Sequence, residues 1–142
     1  MARTLVVGYD GSAGSKAALE KTIELAQLEG ARIAVVFAYE IPAAYGGETG
    51  DYRRAVRDLA EQKAAEAVER IKAAGVEYDV ELVPERPAHG LVDAAERVGA
   101  SMIVIGTSGE HPIKGVVLGS VPHKLLHISP VPVLVVPEVD GE

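Results

Sequence analysis

Met102-Ile103-Val104-Ile105-Gly106-Thr107-Ser108-Gly109 is an apolar run of strand length that breaks into a glycine-bearing loop, and a helical pattern resumes at Gly119-Ser120. The run Met102–Ile105 is continuously apolar, which fits a strand buried on both faces, as in a parallel sheet. After the loop from Gly106 to Leu118, Val121, Leu125 and Ile128 recur at helical spacing and share one face. A strand, a loop and a helix in that order form most of a βαβ unit. The rest of the chain repeats that unit in both directions.

Upstream, Thr4-Leu5-Val6-Val7-Gly8-Tyr9 reads as a first strand and Asp10-Gly11-Ser12-Ala13-Gly14 as the loop after it. A helix follows with Ala18, Leu19, Thr22, Ile23, Leu25 and Ala26 on one face, and Gly30 ends it. Ile33 to Ala38 is the second strand, and Ile41 to Gly50 is a long connection bearing Pro, Gly and Tyr. The second helix starts near Asp51, carries Val56, Ala60, Ala64, Val68 and Ile71 as its inward stripe, and closes at Ala74-Gly75. Tyr78 to Val83 alternates polar and apolar residues, the pattern of an edge strand. Pro87 opens a third helix faced by Leu91, Ala94, Ala95 and Val98. Downstream of the last helix, Val133-Leu134-Val135-Val136 is a fifth strand between Pro132 and Pro137. The order βαβαβαβαβ predicts one domain over residues 1–142: an open, parallel, five-stranded α/β sheet of Rossmann-like type with helices on both faces.

The 142 residues are 48% hydrophobic and 25% charged, a globular composition. There is no Cys, which excludes disulfides, thiolate metal sites and thiol catalysis. With 14 basic and 21 acidic residues the net charge is −7, and aromatics are only 4%. That argues against a nucleic-acid partner, which needs a basic footprint or aromatic stacking surfaces. No signal-like segment precedes the first strand, and no apolar run approaches the roughly 20 residues of a membrane span. The expectation is a cytoplasmic protein with no membrane partner.

Ligands of open α/β sheets bind beyond the carboxyl ends of the strands, where the winding reverses. The loop after the fourth strand, with Gly106, Gly109, Gly119 and Ser120, joins backbone that can approach a phosphate to a helix N-terminus that favours anions. The competing reading is a loop with an ordinary N-cap, for which Ser120 would serve. Asp10 is either the acceptor of an Asx turn or a contact for a ligand amine or hydroxyl. No GxxxxGK[ST] occurs, and Gly8, Gly11 and Gly14 are spaced GxxGxxG, not GxGxxG. Glu40 falls where a dinucleotide fold keeps its ribose acid, but the glycine spacing does not accompany it. A phospho-receiver is discounted because Val83-Pro84-Glu85 and Val136-Pro137-Glu138 lack the required Asp and Lys. His123 and His127 stand at i, i+4, a spacing that can chelate a metal, but they oppose the inward face and no third ligand accompanies them. No catalytic residue and no metal site are assigned.

Gly106-x2-Gly109-x9-Gly119-Ser120 matches the G-2x-G-9x-G(S/T) nucleotide motif of the universal stress proteins, and the chain resembles that family from end to end. Val6-Val7-Gly8-Tyr9-Asp10-Gly11-Ser12 is similar to the family's first strand and loop, and Pro130 to Val136 to its closing strand. The resemblance implies the strand order 3-2-1-4-5 and ATP, with Mg²⁺, in the crevice between strands one and four. It implies Asp10 at the adenosine end with Gly8 and Tyr9 before it. It places Ala38 against the adenine, and Gly106, Gly109, Gly119 and Ser120 on the ribose and phosphates, flanked by Ile105 and Val121. It also implies a stress-responsive regulatory or sensing module and a homodimer through strand 133–136; with no catalytic base legible in the sequence, hydrolysis is expected to be slow or absent. The chain departs from the family at Pro122, which removes a hydroxyl and an N–H donor, and at Glu110, which adds an acid that Lys114 offsets. Those departures leave open the alternative of a nucleotide-independent dimeric interaction protein.

Overall fold

The computed structural model describes residues 3–39, 50–107 and 118–138, with only the backbone of residues 51 and 52. Glu40, the connection through residue 49, and Ser108, Gly109, Glu110, His111 and Lys114 lie outside the described residues. The elements are β1 (Thr4–Gly8), α1 (Ala13–Glu29), β2 (Arg32–Ala38), α2 (Gly50–Ala73), β3 (Tyr78–Val83), α3 (Pro87–Val98), β4 (Met102–Gly106), α4 (Ser120–Ile128) and β5 (Val133–Val136). All strand pairs are parallel, and the sheet runs β3-β2-β1-β4-β5. The order expected from the resemblance is the order observed.

Burial explains the strand compositions. β1 is central, so Leu5, Val6 and Val7 are all fully buried and successive side chains enter opposite faces. Leu5, Val7, Ile33, Val35 and Val104 pack beneath α1 and α2, through Leu19 and Ile23 of α1 and Ala67 and Ile71 of α2. Val6, Ala34, Val36, Ile103 and Ile105 pack beneath α3 and α4, through Leu91, Ala94 and Leu125. The first two crossovers thus cover one face and the last two the other, as right-handed connections running out from β1 in opposite directions require. In α2 the inward stripe is Ala60, Ala64, Ala67 and Ile71, with Val56 and Val68 only half-buried at its margin. β3 is the edge strand its alternation predicts. Asp79 and Glu81 on that edge pair with Arg32 (2.6 Å) and Arg97, charges that discourage strand addition.

Helix termini fall where their stop and start residues dictate. Ser12 caps α1 by accepting a hydrogen bond from the Ser15 N–H at 3.2 Å, and Gly30 ends the helix at φ 69°. Pro87 occupies the first turn of α3, where its missing N–H has no partner to lose.

Candidate functional site

The strand order reverses between β1 and β4, so the carboxyl ends of these two strands bound a crevice. Three segments meet there: Tyr9 to Ser15 after β1, Gly106-Thr107 at the tip of β4, and Gly119-Ser120-Val121 at the start of α4. Ala38 ends the neighbouring β2, two residues beyond the Val36 that pairs with Gly8. Of the ten residues that the resemblance assigns to the nucleotide site, only Gly109 lies outside the described chain.

The loop after β1 is tied by its own polar groups. Asp10 Oδ1 accepts from the Ser12 N–H at 2.9 Å, the Asx turn that its position in a glycine loop predicts. The Asp10 N–H donates to Ser15 Oγ at 3.3 Å, and the Ser15 hydroxyl donates to the Ser12 carbonyl at 3.0 Å. Gly11 has φ +85°, a conformation that L side chains rarely adopt, and the Lys63 side chain of α2 lies across it. A Cβ at Gly11 would stand 2.9 Å from Lys63 Cδ and 3.1 Å from Nζ.

The side chains of Tyr9 and Ile105 are core, so these residues can offer only backbone to the crevice. Tyr9 is 4% exposed, its N–H extends the β1–β2 ladder to the Val36 carbonyl, and its hydroxyl donates to Glu66 Oε1 of α2 at 3.2 Å. Burial, reinforced by the Glu66 carboxylate, pushes the Tyr9 hydroxyl up to about 12. The unfolded chain ionises this group near 10 while the folded protein holds its proton to about 12, so this contribution is complete below pH 10 and fades as pH rises through that window. Wild type should therefore lose about 1 kcal/mol more stability than Tyr9→Phe across the window, a figure reduced for the exposed Glu66 side. Denaturant unfolding at each pH checks this; parallel losses in the two proteins would contradict it.

The start of α4 differs from a common capped helix. Gly119 is the N-cap, extended at φ −71° and ψ 178°, and among the described residues no side chain caps the end. Ser120, expected as a possible cap, is instead the first helical residue and is exposed. The Gly119 N–H donates to the Thr107 carbonyl at 2.6 Å, which pins the two ends of the loop together. Helix geometry leaves the N–H groups of Ser120 and Val121 without an intrahelical acceptor. Buried Pro122 has no N–H, and the His123 N–H reaches back to the Gly119 carbonyl at 3.3 Å. The arrangement presents two backbone donors, a positive helix end and the Ser120 hydroxyl to an anion.

Sequence reading missed Lys63, Glu66, Gly14 and the Thr107 carbonyl. Only Gly14 left a trace, as the third glycine of the GxxGxxG run. His123 and His127 are exposed, with ring centroids 5.1 Å apart, and among the described residues no group of three or more His, Asp or Glu could hold a metal. A separate groove of about 580 Å³ runs along the outer side of α1, past Lys16, Glu20 and Arg70 to Val136. Asp10, Gly106 and Gly119 do not line it. No described helix is long and apolar enough to cross a membrane.

The profile of the universal stress protein family matches residues 1–137. The chain is 35% identical over 137 residues to the universal stress protein in the QAH/OAS sulfhydrylase 3' region of Thermus aquaticus, covering 96% of this chain and 99% of that protein. Among solved structures, a universal stress protein in complex with cAMP superposes with a TM-score of 0.72 at 30% identity, covering 97% of this chain and 98% of that one. The universal stress protein from Archaeoglobus fulgidus in complex with dAMP also gives 0.72, at 27% identity, over 96% of this chain and 98% of that one.

Proposed function

Because the chain belongs to the universal stress protein family, we propose that it binds an adenine nucleotide, ATP with Mg²⁺, between the ends of β1 and β4 and acts as a regulatory or sensing module in the stress response. The observation that carries this reading is the seating of Gly106, at the tip of β4, against Gly14 in the first turn of α1, with Gly119 at the start of α4 bonded to the Thr107 carbonyl beside it. The cAMP and dAMP bound by similar proteins favour an adenine ligand. In this reading Asp10 and Ala38 hold the adenosine end. Gly106, Gly119 and Ser120 hold the ribose and phosphates, together with Gly109 of the same motif, which lies outside the described residues, and Gly8, Tyr9, Ile105 and Val121 frame the crevice with backbone. Pro122 leaves one N–H fewer at the helix start, so the adenosine end contributes most of the affinity and AMP competes well with ATP. Mg²⁺ would offset phosphate charge in a protein of net charge −7. Hydrolysis is slow or absent, and the location is cytoplasmic.

The half-buried Val133, Leu134 and Val135 of the edge strand β5 support a homodimer through residues 133–136. They also carry the second reading, a dimeric interaction protein that works without nucleotide. Thermal unfolding separates the two. Stability that climbs with nucleotide as binding linkage requires supports the first. Stability that follows protein concentration and ignores ATP, AMP and cAMP supports the second.

A further inference from the structure

We infer that Gly106 is a packing glycine that locks the loop after β1 to Thr107 and Gly119, the two described ends of the connection after β4, so that these segments move as one body. Gly106 does not need glycine for its dihedral angles, since the described glycines with positive φ are Gly11, Gly30, Gly75 and Gly99. What it needs is space. A Cβ at Gly106 would stand 2.6 Å from both the carbonyl carbon and the oxygen of Gly14, and 3.0 Å from its Cα. Real Cβ atoms essentially never approach closer than 3.0 Å, and these neighbours are backbone, which no rotamer change can move aside. Gly8 makes the contrast: the nearest atoms to a Cβ there are the side-chain tips of Ile105 and Leu91, at 3.2 Å.

Hydrogen bonds extend the contact in both directions. On one side Gly14 is buried in the first turn of α1, and its neighbour Ser15 is bonded to Ser12 and Asp10. On the other side Thr107, the residue after Gly106, accepts the Gly119 N–H at 2.6 Å. Asp10, Ser12 and Ser15 are thus linked through Gly14 and Gly106 to Thr107 and Gly119, without a flexible side chain at the junction. Gly106 is accordingly a positioning residue: it sets the distance between the adenosine-side and phosphate-side loops. This last consequence rests on the nucleotide reading, whereas the coupling of the loops does not.

The test is Gly106→Ala, compared with wild type and with Ile71→Ala, which removes a fully buried α2 side chain. Amide exchange in ligand-free protein should quicken by about tenfold or more at Asp10 to Ser15 and at Gly119 in Gly106→Ala. In Ile71→Ala those amides should stay as in wild type relative to global unfolding. AMP affinity should fall about tenfold or more in Gly106→Ala and hold in Ile71→Ala. If Gly106→Ala does not fold, the ligand-free wild type still decides: as sub-denaturing urea rises, the amides of Ser15 and Gly119 should open as one cooperative unit with a shared opening free energy. Exchange changes confined to one loop overturn the inference. Wild type that binds no AMP, with both loops loosened in ligand-free Gly106→Ala, overturns the nucleotide reading and leaves the coupling standing.

Discussion

Replacing Gly119 with Val abolishes the stabilisation that adenine nucleotides confer, while the ligand-free protein unfolds only a few degrees lower. The two effects separate because of the local backbone. Gly119 is extended, at φ −71° and ψ 178°, so a β-branched residue fits its dihedral angles. Its N–H still reaches the Thr107 carbonyl, and the change in folding stability is that of a poor N-cap, about 1 kcal/mol. The added methyl groups, however, stand at the uncapped helix end where the phosphates would approach the Ser120 and Val121 amides. At a ligand concentration of a hundred times Kd, wild type gains about 2.7 kcal/mol from binding, and the variant gains none. Thermal unfolding across a nucleotide series reads both numbers. A shift equal to wild type would remove Gly119 from the site.

Leu125→Ala acts on the same helix from the opposite side. Leu125 is 0% exposed and packs with Ile103 and Ile105 beneath α4. Truncating a leucine in such a position costs about 3 kcal/mol, the lost transfer energy plus the cavity it leaves. That is a large fraction of the roughly 5–15 kcal/mol that holds a domain together. It is also a local loss. α4 has only nine residues, far fewer than a helix needs to persist alone, so this packing is what fixes Gly119 and Ser120 at the crevice. Nucleotide affinity should therefore fall together with stability. Urea unfolding should show a lower midpoint with an unchanged slope. A change below about 1 kcal/mol would mean that α4 is anchored elsewhere.

The elements were legible in the sequence because their signals are local. Continuous apolar runs marked β1 and β4, alternation marked β3 as an edge, and Gly30 and Pro87 marked where helices stop and start. The strand order was not local information; it came from the resemblance carried by Gly106, Gly109, Gly119 and Ser120. Within the site, Asp10 had two readings, and the structure realises the Asx turn with one carboxylate oxygen. Ser120 also has two readings, a cap or a phosphate contact, and the structure excludes the cap, because Gly119, bonded to the Thr107 carbonyl, takes the N-cap position. Lys63 over Gly11 and Glu66 on Tyr9 were invisible because the pairing depends on how α2 lies across the sheet. The demand for glycine at position 106 was visible as a motif but not as a cause, since the cause is the backbone of Gly14.

Calorimetric titration of the ligand-free protein decides whether the crevice between β1 and β4 binds an adenine nucleotide. Mg-ATP is the titrant, with AMP and NAD alongside. Binding should saturate near one nucleotide per chain, with AMP retaining most of the ATP affinity and NAD binding more weakly, if the nucleotide reading is right. Absence of heat from ATP and AMP at several temperatures would contradict it and leave the β5 edge as the functional surface.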